Sequence, residues 1–316
     1  MVTSDKEKIT ETVSVEEPRK PMNKFWTTTR PVGVNARTIL PSVSLCLIAL
    51  FSCIPDTPIS PPGPAPSPHE PGQMTQVSVI NALMIGRYDG VMPVPELLKY
   101  GDFGLGTLDH LDGEMIVLDG HAYQVRGDGV IREVGSDRST PFATVTRFEK
   151  DGDFPCQQLG KLSELETHLD DAVRAKNNFL SVRVDGQFAS IKLRSVHRQK
   201  PPYKPLAEVA KSQSEWTHDD VSGTLVGIRC PTWVKGLNVP GYHWHFLSDD
   251  RKIGGHVLEC QVTEGRVQYD VSCNWQIKLD HSAEFNGVEL GADLSRELHR
   301  VESSRGEESQ DGAPER

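Results

Sequence analysis

The sequence predicts a mixed α/β fold: β-sheets built largely of hairpins, with a few helices packed on them. Three observations predict it. Strand-favouring runs punctuated by glycine outnumber stretches with a helical period. Asp-Gly pairs stand between apolar runs at Asp119-Gly120, Asp128-Gly129 and Asp185-Gly186, and such pairs mark hairpins because both central residues of the turn tolerate positive φ. One stretch, 163–176, instead carries Leu165, Leu169, Ala172 and Val173 behind Leu162 at helical spacing, the pattern of an amphipathic helix lying on a sheet.

The chain has 316 residues, 37% of them hydrophobic, and a formal net charge of -10. That length buries a substantial core. The charge argues against a nucleic-acid partner, which demands a basic face. Residues 1–38 are polar and show no apolar face. An uncharged apolar run, 39–54, follows Lys24, Arg30 and Arg37. It is shorter than the ~20 residues that span a bilayer, and with its basic flank it reads as the core of a signal peptide, with a start at Met22 giving the more usual flank. Leu50-Phe51-Ser52-Cys53 resembles a bacterial lipobox. The expectation is therefore an exported protein, periplasmic or on the cell surface, anchored to the membrane through a lipidated Cys53. Between Pro55 and Pro71, eight prolines among 17 residues make an extended linker. The folded domain is expected over 73–302, its two halves meeting near 151–160, and the polar tail 303–316 is expected to be disordered.

Within the domain, 76–83 reads as a strand and 94–100 as a short helix behind Pro93. Residues 114–118 and 121–126 read as one hairpin, Asp128-Gly129 opens a second, and 141–148 is a further strand. Asp151-Gly152-Asp153 reads as a turn between the halves. Ser163 and Glu166 form a capping box at the start of the amphipathic helix. A hairpin about Asp185-Gly186 joins 179–184 to 187–194; then come a short helix at 206–212 and a strand at 222–230. A last hairpin, 257–262 with 266–275, turns at Glu264-Gly265. Its register sets Cys260 opposite Tyr269, so Cys260 and Cys273 do not face each other. With no CxxC pair either, the six cysteines imply no disulfide.

The stretch that organises the chain is 238–260. His243 and His245 are two apart, so a strand presents both imidazoles on one face. Ser248-Asp249-Asp250 and Ile253-Gly254-Gly255 supply turn chemistry that brings His256 back on a neighbouring strand. Three imidazoles leave the fourth position of a tetrahedral Zn²⁺ open, the layout of a catalytic zinc site. Iron binds the same ligands. Lacking a common ion, the three would be ordinary strand histidines. His110, His121, His168, His197, His218, His281 and His299 have no partner spacing and stay unassigned.

The wider pattern resembles the alpha-acetolactate decarboxylase family. It is carried by Gly101-Asp102-Phe103-Gly104-Leu105-Gly106-Thr107, Leu111-Asp112-Gly113-Glu114, Val182-Arg183-Val184-Asp185-Gly186 and Gly223-Thr224-Leu225-Val226-Gly227. The last block is Val239-Pro240-Gly241-Tyr242-His243-Trp244-His245-Phe246-Leu247-Ser248-Asp249-Asp250-Arg251 with Gly254-Gly255-His256. These separated blocks, in the family's order, span about 76–302. The resemblance implies a mixed α/β fold, often dimeric, and a zinc-dependent lyase that converts 2-acetolactate to acetoin and CO₂.

Acetolactate carries a hydroxyl and a ketone on adjacent carbons, which can chelate a zinc held by His243, His245 and His256. Such an ion stabilises the enediolate formed as CO₂ leaves, and a positioned acid must then protonate one face. By motif, Glu114 matches the acidic residue of the LDGE block, Arg194 the basic residue of IKLR, and Glu302 a glutamate near the end of the family's fold. Arg194 suits the substrate carboxylate, since its fork binds carboxylate bidentately. Glu114 and Glu302 are the candidates for proton delivery and for contact with the zinc or its water. Thr107 is expected to orient a water or a carboxylate. Without the resemblance, Arg194 reads as an outward strand residue, Glu114 as solvent-facing and Glu302 as part of a solvated helix face. Two alternatives stand beside this reading: an exported metal-binding lipoprotein without decarboxylase activity, and a cupin-like oxygenase. Cupins usually add a Glu soon after their HxH; here Asp249 and Asp250 follow.

Overall fold

The computed structural model describes residues 72–302. The expected signal segment, Cys53, the proline-rich linker and the tail lie outside the described residues. In chain order, the first half consists of β1 (Gln73–Val77), α1 (Ile80–Met84), β2 (Met92–Pro93), α2 (Val94–Leu97), β3 (Phe103–Thr107), β4 (Glu114–Leu118), β5 (His121–Val125), β6 (Ile131–Glu133), β7 (Ser139–Thr140) and β8 (Ala143–Thr146). The second half adds β9 (Gly152–Leu159), α3 (Leu162–Ala172), β10 (Phe179–Ser195), α4 (Leu206–Val209), β11 (Ser214–Cys230), β12 (Gly241–Ser248), β13 (Gly254–Ser272), β14 (Asn274–Lys278), α5 (Ala283–Asn286) and α6 (Ser295–Glu302). The fold is mixed α/β, as expected.

A seven-stranded sheet runs β14-β1-β8-β3-β4-β5-β6, antiparallel except where β14 joins β1 in parallel. The second sheet runs β10-β11-β12-β13-β9, and β10 also pairs with β13, so four of its strands close on themselves. Inside the second sheet and under α3 lies a core of Leu165, Leu169, Val182, Val184, Phe188, Leu225, Trp244, Phe246 and their neighbours. The two sheets meet through Phe103, Ile116, Leu118 and Val125 on one side and Val226 and Leu247 on the other. A third apolar cluster joins α1, α4 and α6 through Ile80, Leu83, Leu206, Val209, Leu298 and Val301. It roofs the end of the molecule where the candidate site lies.

Several local expectations are corrected. The strand at 76–83 is instead β1 ending at Val77, because Ser78 adopts φ 61 and the chain turns into α1. The largest correction concerns the two late hairpins: 179–195 and 254–272 are each one unbroken strand, paired antiparallel with each other. Gly186 stands opposite Gly265 and Gly223, and a Cβ on it would come 2.4 Å from the Glu264 carbonyl oxygen. These glycines serve close strand approach, not a turn. Cys260 accordingly pairs with Ile191 and Tyr269 with Val182, which replaces the expected Cys260–Tyr269 register. Cys156, Cys230, Cys260 and Cys273 are all unbridged.

At 151–153 the chain enters β9 and does not turn. The helix expected at 163–176 is α3, and no capping box forms because Lys161 takes the cap position. The first helical amide finds another acceptor, Leu162 N–H donating to Glu259 Oε1 at 2.6 Å, and Glu164 Oε2 reaches back to accept from Gly160 N–H, ahead of the cap, at 2.7 Å. The hairpin of β4 and β5, the strand β8, the short helices α2 and α4, and the pairing of β12 with β13 are as expected.

Candidate metal centre and active site

β11 pairs along the whole of β12, which puts His243 opposite Ile228 and His245 opposite Val226. The turn after Ser248 returns the chain so that His256 stands directly across from His245, and Arg194 of β10 stands directly across from His256. Arg194, His256 and His245 thus lie abreast on three adjacent strands. Gly255 makes this possible: its φ is 143, and a Cβ there would come 2.6 Å from the Arg194 carbonyl oxygen.

From the facing sheet comes Glu114, the first residue of β4, paired with Thr107 at the end of β3. Thr107 donates its hydroxyl to the Gly113 carbonyl at 2.7 Å, fixing the turn that launches Glu114. Glu302 enters at the last turn of α6. Arg194 sits between the two carboxylates, its Nη1 donating to Glu114 Oε1 at 3.2 Å and its Nη2 3.7 Å from Glu302 Oε1. Glu114 Oε2 lies 3.6 Å from His245 Nε2, while Glu302 Oε2 lies 3.7 Å from Nε2 of both His243 and His256. These six side chains all point into one space.

The histidines are in the state a metal needs. Burial drives all three toward the neutral form, and Arg194 reinforces this: His243 is pushed down to about 3, His245 and His256 well below the usual imidazole range. His245 Nδ1 lies 2.9 Å from the Met115 carbonyl, which can only accept, so Nδ1 carries the hydrogen and Nε2 the lone pair. That Nε2 is buried and, among the described residues, has no hydrogen-bond partner; the same holds for His243 Nδ1 and Glu302 Oε2. Orphaned buried polar atoms are costly unless something outside the chain satisfies them. His243 Nε2 and His256 Nδ1 are 3.1 Å apart. The separation is close to the ~3.3 Å edge of a tetrahedron with ~2.0 Å metal–nitrogen bonds. Ligand atoms of all three histidines lie within 4.8 Å of one another. The residues fit a divalent metal ion.

The carboxyls are perturbed in the opposite sense. Burial pushes Glu114 up to about 7, with Arg194 pulling it down and Glu302 pushing it further up. Burial also raises Glu302, again against Arg194. A small chamber of about 40 Å³ adjoins them. Its polar side is Thr107, Glu114, Arg194, His243 and Glu302, and its apolar side includes Leu83, Phe142, Val196 and Val301. His256 and Glu302 also border a wider cleft of about 1000 Å³ toward α3.

A family model described as alpha-acetolactate decarboxylase matches residues 74–292. The alpha-acetolactate decarboxylase of Methanosarcina mazei is 48% identical over 227 residues, which is 72% of this chain and 79% of that protein. The chain belongs to the alpha-acetolactate decarboxylase family. That family is also met at 34% identity in the Bacillus subtilis strain 168 protein, over 73% of this chain and 91% of that one. The crystal structure of alpha-acetolactate decarboxylase from the same strain superposes with a TM-score of 0.72, covering 73% of this chain and 100% of that chain. Membership places the chain among the carboxy-lyases. The family match ends at residue 292, so the place of Glu302 in the site rests on geometry.

All seven residues singled out from sequence, Thr107, Glu114, Arg194, His243, His245, His256 and Glu302, converge. Sequence reasoning missed the backbone support from Met115 and the apolar side of the chamber, which is assembled from α1, α4, α6, Phe142 before β8 and Val196 after β10. It also left His110 unassigned. His110 Nε2 lies 3.0 Å from Asp109 Oδ2, and its Nδ1 contacts the Tyr203 hydroxyl, which itself donates to Asp89 at 2.6 Å. No spacing signal joins positions so far apart in the chain. This network ties down the loop between Thr107 and Glu114.

Proposed function

We propose that this protein decarboxylates 2-acetolactate to acetoin and CO₂, with a divalent metal ion, zinc, held by His243, His245 and His256. The observation that carries the reading is the convergence of three neutral imidazoles, one guanidinium and two carboxyls beside a small chamber that has Glu114, Arg194, His243 and Glu302 on one side and an apolar wall on the other. Acetolactate has a carboxylate and a hydroxyketone at one end of its surface and two methyl groups elsewhere, and the chamber's division matches that division.

When bound, the ion supplies Lewis acidity toward the substrate's adjacent hydroxyl and ketone oxygens as negative charge grows on them. Everything else falls to the chain. Arg194 Nε is buried and has no hydrogen-bond partner among the described residues, so it is a donor in want of a carboxylate. It receives the substrate's carboxylate and holds the bond to be broken near the histidines. As that carbon–carbon bond breaks, its electron pair moves toward the ketone, and CO₂ departs without a charge for Arg194 to hold. The carbon left behind then takes a proton from one face. Glu114 is the donor we assign: it lines the chamber beside Arg194, 3.6 Å from His245 Nε2, and burial raises its carboxyl in the direction a proton donor needs. Glu302, opposite it on Arg194, balances the guanidinium as the substrate's charge leaves. Leu83, Phe142, Val196 and Val301 exclude water from the methyl side.

The cupin-like alternative is not retained, since Asp249 and Asp250 are exposed in the turn and the third imidazole comes from the adjacent strand. Acetoin and CO₂ released from racemic 2-acetolactate by the purified protein, with metal analysis of the same sample, test the reading. A metal-loaded protein that leaves acetolactate intact would favour a metal-binding lipoprotein. We further propose export with anchoring through Cys53, and a homodimer; Cys53→Ser should release the protein from membranes or block its processing, and wild-type protein found soluble in the cytoplasm with its apolar segment attached would sink the anchoring proposal.

A further inference from the structure

The back of β12 carries an arrangement that the decarboxylation itself does not use. Tyr242 and Trp244 alternate with His243 and His245, so their rings lie on the opposite face of the strand. There they stack, 5.5 Å between centroids and 6° between planes. Trp244 is buried over Gly227, its cross-strand partner, where a Cβ would come within 2.2 Å of the indole. The slot is built for this ring. Two carboxylates one turn apart on α3 reach the pair. Trp244 Nε1 donates to Glu166 Oε1 at 3.0 Å, and the Tyr242 hydroxyl donates to Asp170 Oδ1 at 2.8 Å. Arg229 completes the cluster, 5.9 Å from the Tyr242 ring centroid and 3.8 Å from Asp170 Oδ1.

The grip falls where β12 has least backbone support. Among the described residues β13 pairs with β12 only at 245–247, so at His243 the strand's one ladder partner is β11. Yet His243 must keep its ring beside His256 Nδ1 and Glu302. We propose that α3 is a positioning clamp: Glu166, through its hydrogen bond to Trp244, fixes the 242–244 stretch and so holds His243 in place as a metal ligand. This rests on the reading of His243 as a ligand. Ordinary outer-shell groups orient a ligand by bonding its free ring nitrogen; here the bond is made to the next residue and acts through the backbone. An indole N–H needs only an acceptor, so the clamp depends on the hydrogen bond and not on the charge of Glu166.

The test uses the full chain stripped of metal and titrated with Co²⁺ against a competing chelator, with absorption reporting affinity and coordination geometry and thermal unfolding measured on the same metal-free samples. Wild type should bind one ion per chain. Glu166→Leu and Trp244→Phe should each bind it roughly 10-fold more weakly, in the range known for outer-shell partners. The double variant should be no weaker than either single, because both remove one bond. Glu166→Gln keeps an acceptor oxygen and should stay within about 2-fold of wild type. If the Leu and Phe variants lose thermal stability but keep wild-type Co²⁺ affinity and spectrum, the clamp is structural only and the proposal is wrong. If Glu166→Gln weakens as much as Glu166→Leu, charge and not the bond matters, and it is wrong again. A wild type that binds no ion overturns the ligand reading itself.

Discussion

Replacing Arg194 by lysine keeps one positive charge at the centre of the site and removes the planar fork. The native guanidinium serves three directions at once, with Nη1 on Glu114 at 3.2 Å, Nη2 3.7 Å from Glu302, and the buried Nε open for the substrate. One ammonium cannot reproduce that set. A hydrogen bond to a charged group contributes about 1.5–3 kcal/mol, so losing one prong on the substrate carboxylate should lower kcat/KM by roughly 10- to 150-fold. Metal content should not change, because the partners of Arg194 among the described residues are Glu114 and Glu302 and not the histidines. Arg194→Gln should lose more. It removes the cation that holds both Glu114 and Glu302 down, so both carboxyls should stay protonated to higher pH and the pH–rate profile should move up. Initial rates of acetoin formation across pH, with metal analysis of each sample, measure both effects. A lysine variant with wild-type kcat/KM, or loss of metal in either variant, would refute the assignment of Arg194 to the substrate.

Glu114→Gln should fold and bind metal while losing roughly 10²- to 10⁴-fold in kcat, the range for a missing general acid; wild-type turnover in this variant beside collapse of Glu302→Gln would transfer the proton to Glu302. His256→Ala should lose metal and activity together, whereas His121→Ala and His281→Ala should lose neither, and full metal occupancy in His256→Ala would show the third ligand misassigned. Burial pushes Glu166 up to about 7 from an ordinary value of 4.5, so the native state keeps a proton that the unfolded chain releases between those values. Stability should therefore fall as pH rises through that window and level off above it, and Glu166→Gln should flatten the slope in denaturant titrations at pH 5 and 8; an unchanged slope would count against it.

The parts of this molecule legible in its sequence are those set by short-range rules. A period of two and a tight return determine the relation of His243, His245 and His256, and both were readable because no distant residue decides them. The β4–β5 hairpin follows equally from Asp119-Gly120, both of which take positive φ. Asp185-Gly186 carries the same signal and means something else. Gly186 has neighbours on both flanking strands, and only the closed sheet reveals that its missing Cβ is a matter of strand approach. Ser163 and Glu166 spelled a capping box, but Glu166 was claimed by Trp244, and a carboxylate from β13, Glu259, caps an amide instead. The same limit applies to the site. Glu114 and Arg194 were found by motif, while Met115, Leu83 and Val196 were not, because contacts from elements far apart in the chain leave no spacing to read.

The central claim is that three histidines hold a metal ion without which acetolactate is not decarboxylated. Stripping the purified protein with a chelator and adding back Zn²⁺ in substoichiometric steps, with acetoin formation followed at each step, tests it most directly. Activity should vanish on stripping, return linearly and saturate at one ion per chain, and no addition should restore His245→Ala. Full acetoin formation by the stripped protein, or saturation of His245→Ala at the wild-type ratio, would contradict it.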